Sequence, residues 1–337
     1  MAGRIVAGLD GSEGSRLALA WAVEEAVAHG AIVEAVTVCR GAVKGVAERH
    51  APYITTHPMN LPAHAEADDA RRRLTEAVAQ VAATRPDITI RARVLQGEDA
   101  ADTLCREAEE ADVLVVGARG RSTVRTLLLG SVASTCAVRS PCPVVIVPAG
   151  SPPEVRHGPA RTGRIVVGVD MSDASRHALE WAIEEAEARD CAVRVVTVSA
   201  TKSAHESDGH GLVGQAAETG ARRDLEALVA GASGAAPVEI ESLVLEGDPS
   251  ERLCQQARDA DMLVVGDRGH GSLGSLLLGS VASRCAHHSA RPVAIVRPQW
   301  RRRHELAVEQ RPARVPVGCS AGVASSVPSG GQRTTPV

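Results

Sequence analysis

Two glycine loops of identical spacing hold the residues best placed to do chemistry. Gly117 and Gly120 are followed, after nine residues, by Gly130-Ser131, and Gly266 and Gly269, after nine residues, by Gly279-Ser280. Glycine allows a turn with positive φ and lets main-chain N–H groups approach a phosphate with no Cβ in the way. A Gly-Ser pair opening a helix adds free N–H groups, the helix dipole and a hydroxyl, all favourable to an anion. Two such elements flanking a short segment can hold a polyphosphate. Asp10 and Asp170 each follow a short apolar run. An ionised carboxylate is acceptor-only, which suits a ribose hydroxyl or a bound metal.

The elements that must position these residues occur twice. Residues 4–38 match 164–198, and 113–137 match 262–286, with more than half of the aligned positions identical. A repeat this long is too large for a solenoid and reads as two copies of one domain, 1–149 and 164–298. Between them, 150–163 is a linker rich in Pro, Gly and Arg, and 299–337 is a basic, low-complexity, disordered tail. In the first copy, strands are predicted at Ile5–Leu9, Ile32–Val38, Ile88–Leu95, Val113–Val116 and Val144–Val147. Helices are predicted at Ser15–His29, Ala63–Ala83, Ala100–Glu110 and Ser131–Arg139, with Trp21 and its counterpart Trp181 packing the first helix onto the sheet. Continuous apolar strands alternating with helices imply a doubly wound α/β fold, a five-stranded parallel sheet in each copy. Ligands of such sheets bind beyond the carboxyl ends of the strands, where the winding reverses: after strand one, at Asp10 and Asp170, and after strand four, at the glycine loops. The long segment Arg40–Pro62 is either a lid or a disordered loop.

Composition removes other functions. The chain is 44% hydrophobic and 23% charged, as a packed soluble core requires. Its near lack of aromatics, with no Phe and a single Tyr, argues against single-stranded nucleic acid. A net charge of -4, in which a tail of roughly +4 leaves the rest of the chain at about -8, argues against duplex DNA. The only lysines, Lys44 and Lys202, lie outside the glycine loops, which excludes a Walker-type P-loop. No run is long and apolar enough for a membrane span, and the N-terminus enters a strand without signal-peptide architecture, so a cytoplasmic protein is expected. Eight cysteines without CxxC spacing read as free buried thiols rather than disulfides or zinc ligands. Gly269–Gly274 spells GxGxxG, but it follows the fourth strand and has no twin in the first copy, so NAD is not expected. HExxH is absent and no GxSxG forms a nucleophile elbow between a predicted strand and helix, against a zinc hydrolase or a serine hydrolase.

The order GLDGS, W-A-x-E-E-A, VVGARG and LLLGSVAS resembles the universal stress protein family in its tandem, ATP-binding form, over residues 3–148 and 163–297. The resemblance implies two Rossmann-like (adenine nucleotide alpha hydrolase-like) domains and ATP as ligand, with Mg²⁺ as its companion where hydrolysis occurs. Asp10 would contact ribose and phosphate and the main chain at Val38 would hold adenine. Val116, Gly117, Arg119, Gly120, Gly130, Ser131 and Val132 would line the ribose and triphosphate. The second set would be Asp170, Val198, Val265, Gly266, Arg268, Gly269, Gly279, Ser280 and Val281. It also implies an internal pseudo-dimer through the last strands, Val144–Val147 and Val293–Val296, and leaves a homodimer open. The function implied is a nucleotide-dependent regulatory module. A slow ATPase or autophosphorylating enzyme, using Ser or Thr in Ser122–Thr126, and a stress scaffold with degenerate sites are the alternatives.

The two sites differ. Arg119, Arg121 and Arg125 stand near the expected phosphates of the first, whereas the second offers Arg268 and His270, with Gly271 and Gly274 in place of larger residues. Asp267 replaces Ala118, and a carboxylate facing a triphosphate is repulsive by about 1 kcal/mol or more; pointing to solvent, it would leave both sites usable. Met171 replaces Gly11 and is expected to narrow the second entrance. The first site is expected to bind ATP better.

Overall fold

The computed structural model describes residues 3–39, 61–120, 129–150, 163–199, 210–232, 238–269 and 277–298. Most of the 40–62 loop, the linker and the tail lie outside the described residues. So do Arg121, Arg125, Ser122–Thr126, His270, Gly271 and Gly274.

The first half comprises β1 (Arg4–Gly8), α1 (Glu13–His29), β2 (Ile32–Cys39), α2 (Leu61–Ala82), β3 (Ile90–Gln96), α3 (Ala100–Glu107), β4 (Val113–Gly117), α4 (Ser131–Arg139) and β5 (Val144–Val147). The second half repeats it: β6 (Arg164–Gly168), α5 (Asp173–Arg189), β7 (Ala192–Ser199), α6 (His210–Ala232), β8 (Ile240–Glu246), α7 (Pro249–Gln256), β9 (Met262–Gly266), α8 (Ser280–His288) and β10 (Val293–Val296). The helix expected to reach Glu110 stops at Glu107 and tightens into a 3₁₀ turn over Ala108–Glu110, a common way for a helix to satisfy its last carbonyls. Ile88 lies in a turn ahead of β3, its N–H donating to the Arg85 carbonyl, so that strand starts later than expected.

All ten strands form one sheet in the order β3-β2-β1-β4-β5-β10-β9-β6-β7-β8. Pairing is parallel within each half, and β5 meets β10 antiparallel, with Val144 opposite Ile295 and Ile146 opposite Val293. The terminal strands are therefore the seam, as the resemblance implied. The period of two explains the apolar runs: Ile5 and Ala7 enter the core beneath α1 and α2, while Val6 enters the core beneath α3 and α4. With helices on both faces, Ile5–Gly8 of β1 are buried without a break. Trp21 and Trp181 are buried in the α1/α5 layer, which is continuous across the seam. Among the described residues no helix is long and apolar enough to cross a membrane, and the described cysteines are free thiols, not all of them buried.

At the seam, α1 and α5 bring together four ionisable side chains. Arg189 stacks over the Trp21 ring at 5.2 Å, donates to Glu25, and its Nε lies 3.3 Å from Glu185 Oε2. His29 Nε2 lies 3.1 Å from Glu25 Oε1 and 3.2 Å from Glu185 Oε2. Both carboxylates and the guanidinium are almost fully buried.

The turns after β1 and β6 differ in strain. Gly11 has φ 83° and Met171, in the same place, φ 66°. A side chain in this left-handed region costs about 1–2 kcal/mol, and a Cβ at residue 11 would also meet Arg73 Cδ at 2.8 Å. Gly11→Ala is therefore expected to lower unfolding free energy by about 1–2 kcal/mol in urea titrations. A loss below a few tenths would mean that this turn relaxes freely. Met171 does not stand across the second entrance as anticipated. It packs against the α5/α6 core layer, the other face of the sheet from α7 and α8, because burial of its thioether chain is more favourable than exposure.

Candidate functional site

The winding of the first half reverses between β1 and β4, which are neighbours with β2 and β5 on their outer sides. A cleft of about 550 Å³ opens there, beyond the carboxyl ends of the strands. Asp10, Val38, Val116, Gly117, Arg119, Gly120, Gly130, Ser131 and Val132 all line it, so these first-half residues lie at one place, while Arg121 and Arg125 lie outside the described residues. Its floor also includes Val36, Ala100, Leu104, Ser15 and Ala133, which were not anticipated. Val36 could have been read from strand periodicity, since it lies two residues before Val38. Ala100 and Leu104 depend on how α3 crosses the sheet, which has no local signal.

The glycines work differently from expectation. Neither Gly117 nor Gly120 has positive φ; close approach is what requires them. A Cβ on Gly117 would fall 2.7 Å from the Gly14 carbonyl carbon and 2.9 Å from the Ser15 nitrogen, because the end of β4 abuts the first turn of α1. A Cβ on Gly120 would meet Asp10 Oδ2 at 2.7 Å. The Asp10 carboxylate is aimed by the Ser12 N–H, which donates to Oδ1 at 2.9 Å.

Helix ends complete the geometry. Ser12, Asp99, Ser172 and Asp248 cap α1, α3, α5 and α7 with side-chain oxygens. By contrast α4 and α8 begin at Gly130 and Gly279 with no side-chain cap. Their first-turn N–H groups are left for another acceptor, and the dipole there favours negative charge. Gly130 is held by its N–H donating to the Ala118 carbonyl at 2.8 Å, and Gly279 by the equivalent bond to Asp267. Leu129, just before Gly130, donates its N–H to Nδ1 of His287 at 2.9 Å, so the entry to α4 is tied to the second half. The residue equivalent to His287 in the first half is Val138, and the tie has no twin there.

The second set occupies the corresponding places. Val198 lies on β7, Val265 and Gly266 end β9, and Gly279, Ser280 and Val281 open α8. Gly266 packs against Ala174, with a hypothetical Cβ 2.8 Å from its carbonyl carbon, and Gly269 packs against the Asp170 carboxylate. Asp170 Oδ1 accepts from the Ser172 hydroxyl at 2.5 Å and from its N–H at 3.1 Å. Asp267, expected to face the phosphates or solvent, does neither: it is 4% exposed, with Oδ2 accepting from Arg268 Nε at 3.1 Å and Arg297 Nε at 3.2 Å. Arg297 in turn donates to the Ser140 carbonyl across the seam at 3.2 Å. Ion pairing with Arg297 makes burial of this carboxylate tolerable. The two loops therefore differ in that Asp267 holds Arg268 beside it, whereas Ala118 stands at the corresponding place next to Arg119.

A duplicated, doubly wound α/β protein, with a cleft at its switch point and a glycine-capped helix facing it, defines the class. The chain belongs to the universal stress protein family, whose model matches residues 1–148 and 162–297. A universal stress protein of Mycolicibacterium smegmatis is 29% identical over 304 residues, 88% of this chain and 97% of the relative. Universal stress protein Rv2623 of Mycobacterium tuberculosis is 33% identical over 199 residues, 59% of this chain and 65% of the relative. The crystal structure of a universal stress protein from Archaeoglobus fulgidus shares the fold with a TM-score of 0.60 at 20% identity, covering 88% of this chain and 97% of that one.

Proposed function

We propose that this universal stress protein binds ATP in the first-half cleft and acts as a nucleotide-dependent regulatory module. The observation that carries the reading is the uncapped start of α4, open to the same cleft as the Asp10 carboxylate. The N–H groups of α4, with Arg119 and Ser131, suit the triphosphate, Asp10 suits the ribose, and the apolar floor of Val36, Val38 and Leu104 suits a base. Asp10 is the one carboxylate among the described lining residues and fits as a protein ligand for Mg²⁺, which would otherwise be held largely by phosphates and water. The described lining offers no second acid, His or Gln to orient a water, which favours binding over rapid turnover.

The test is the nucleotide content of gently purified protein, released by denaturation and separated. ATP present at a fixed ratio to chain, and lost on Gly120→Val, is the expected result. Protein that is empty as purified and takes up neither ATP nor AMP on titration would overturn the reading and leave a scaffold. ATP turnover abolished by Asp10→Ala would replace it with the enzyme reading.

A further inference from the structure

The last turn of α8 belongs to the second half but reaches the first-half cleft. Because β5 and β10 pair antiparallel, α4 and α8 lie on one face of the sheet and share a core layer across the seam. A small cavity of about 150 Å³ lies between the halves there, walled by Arg119, Leu129 and Pro148 of the first and by Ala286, His287 and Ser289 of the second. Arg119 lines both this cavity and the first-half cleft, so the two adjoin. His287 is half-buried, and its Nδ1 accepts the Leu129 N–H at 2.9 Å. An accepting Nδ1 carries no proton, so the ring is neutral with its hydrogen on Nε2.

Two bonds just ahead of α4 set its direction. Gly130 donates to the Ala118 carbonyl, and Leu129 donates to His287. The first bond is repeated in the second half, where Gly279 donates to the Asp267 carbonyl. The second has no counterpart from Val138, which matches His287 but has no acceptor in its side chain. Yet residues 127–134 and 276–283 are both LLLGSVAS. Identical loops thus receive different support, and the difference comes from the opposite half.

We propose that His287 is a positioning residue for ATP in the first half: it fixes the Leu129 amide from across the seam and so holds the uncapped start of α4 in the direction the phosphates require. This role rests on the reading of that cleft as an ATP site. Donors held in place before the ligand arrives bind it more tightly than donors that must be ordered on its arrival. Leu129 is followed directly by Gly130 and Ser131, both in the cleft wall, so the tether constrains the N–H groups that no side chain caps. The first cleft is then the tighter one because the second half braces it, while Val138 returns no such brace.

The test is calorimetric titration of the full chain with ATP, comparing wild type, His287→Leu and His287→Asn. Leucine fills the space without an acceptor and should weaken the tight phase about tenfold, the effect of losing one well-formed hydrogen bond. Asparagine places Oδ1 two bonds from Cβ, where histidine places Nδ1, and should bring affinity back to within about threefold of wild type. A loss that came only from packing would not be repaired by asparagine, which is smaller and more polar. Amide exchange resolved to single residues needs no variant and decides alone should His287→Leu fold poorly by circular dichroism. Leu129 and Leu278 have the same sequence neighbours, so their intrinsic rates match, and in nucleotide-free wild type Leu129 should exchange about tenfold more slowly. Wild type that takes up no ATP would overturn the nucleotide reading and this role with it. Wild type that binds ATP would overturn only the role of His287 in any of three cases: His287→Leu within about twofold of it, no recovery in His287→Asn, or Leu129 exchanging as fast as Leu278.

Discussion

Arg189→Met is expected to destabilise the folded chain by about 3–5 kcal/mol, the largest stability effect anticipated for one substitution. Arg189 is buried against Glu25 and Glu185, one from each half, and covers Trp21. Methionine retains much of the apolar volume but leaves two carboxylates in the core with only His29 beside them. Removing one partner of a buried pair costs far more than the pair contributes, because the remaining charge stays desolvated. Adding Glu25→Gln to Arg189→Met should therefore restore a good part of the loss. Denaturant unfolding of the three proteins checks this. A loss below about 1 kcal/mol for Arg189→Met would show that the cluster is solvated and does not bind the halves together.

The same cluster predicts a pH dependence. For His29, burial opposes the charge, but hydrogen bonds to Glu185 and Glu25 outweigh it and carry its pKa up to about 10. Glu25 is opposed by burial but held by Arg189 and His29 down to about 2. Glu185 is pushed up to about 7 by burial and by the neighbouring Glu25 charge. The two carboxyls thus titrate as a pair driven apart. The folded state binds more protons than the unfolded one wherever His29 or Glu185 is raised, so their contribution falls as pH climbs from the ordinary carboxylate range towards 10. Glu25 acts oppositely: its contribution is full above its ordinary pKa and disappears as pH falls through about 2. The cluster is accordingly most favourable in mildly acidic solution, and His29→Asn should flatten the alkaline decline in stability. Unfolding titrations across pH with an unchanged alkaline slope in His29→Asn would exclude this origin.

Much of this architecture is legible in the sequence because its signals are local and duplicated. The apolar runs ending at Asp10 and Asp170, and the matched Gly-Ser pairs at Gly130 and Gly279, mark the strand ends and the starts of α4 and α8, which have no side-chain cap. What escaped depends on pairs of elements meeting in space. Glu25 and Glu185 look like ordinary charged helix positions, and only the approach of α1 to α5 buries them. Asp267 reads as a repulsive neighbour of phosphate, but Arg297, thirty residues on, pairs with it and turns it towards the seam. Met171 is read correctly as different from Gly11, yet its direction is decided by the α5/α6 core layer. The glycines at 117 and 120 are in place for a reason other than turn geometry: neighbouring atoms already occupy the space where a Cβ would go.

The largest functional effect is expected from Gly120→Val, which should weaken ATP binding at least ~100-fold, about 2.7 kcal/mol. The first atom of any side chain at residue 120 would lie 2.7 Å from Asp10 Oδ2. The added branches must then displace the carboxylate or project into the cleft between Asp10 and the start of α4. Either outcome removes the position proposed for ribose and phosphates, while the strands and α1 keep their packing, so folding should be affected much less than binding. Gly269→Val makes the same intrusion on Asp170 in the second half, where Arg268 is already engaged by Asp267. If the first cleft is the stronger site, that substitution should leave the tight phase of ATP binding within about twofold of wild type, under half a kcal/mol. Calorimetric titration of the three proteins, with circular dichroism to confirm folding, separates the possibilities. Equal losses would mean two equivalent sites, and a loss confined to Gly269→Val would place ATP in the second half, where Arg268, even paired with Asp267, would then have to serve the phosphates.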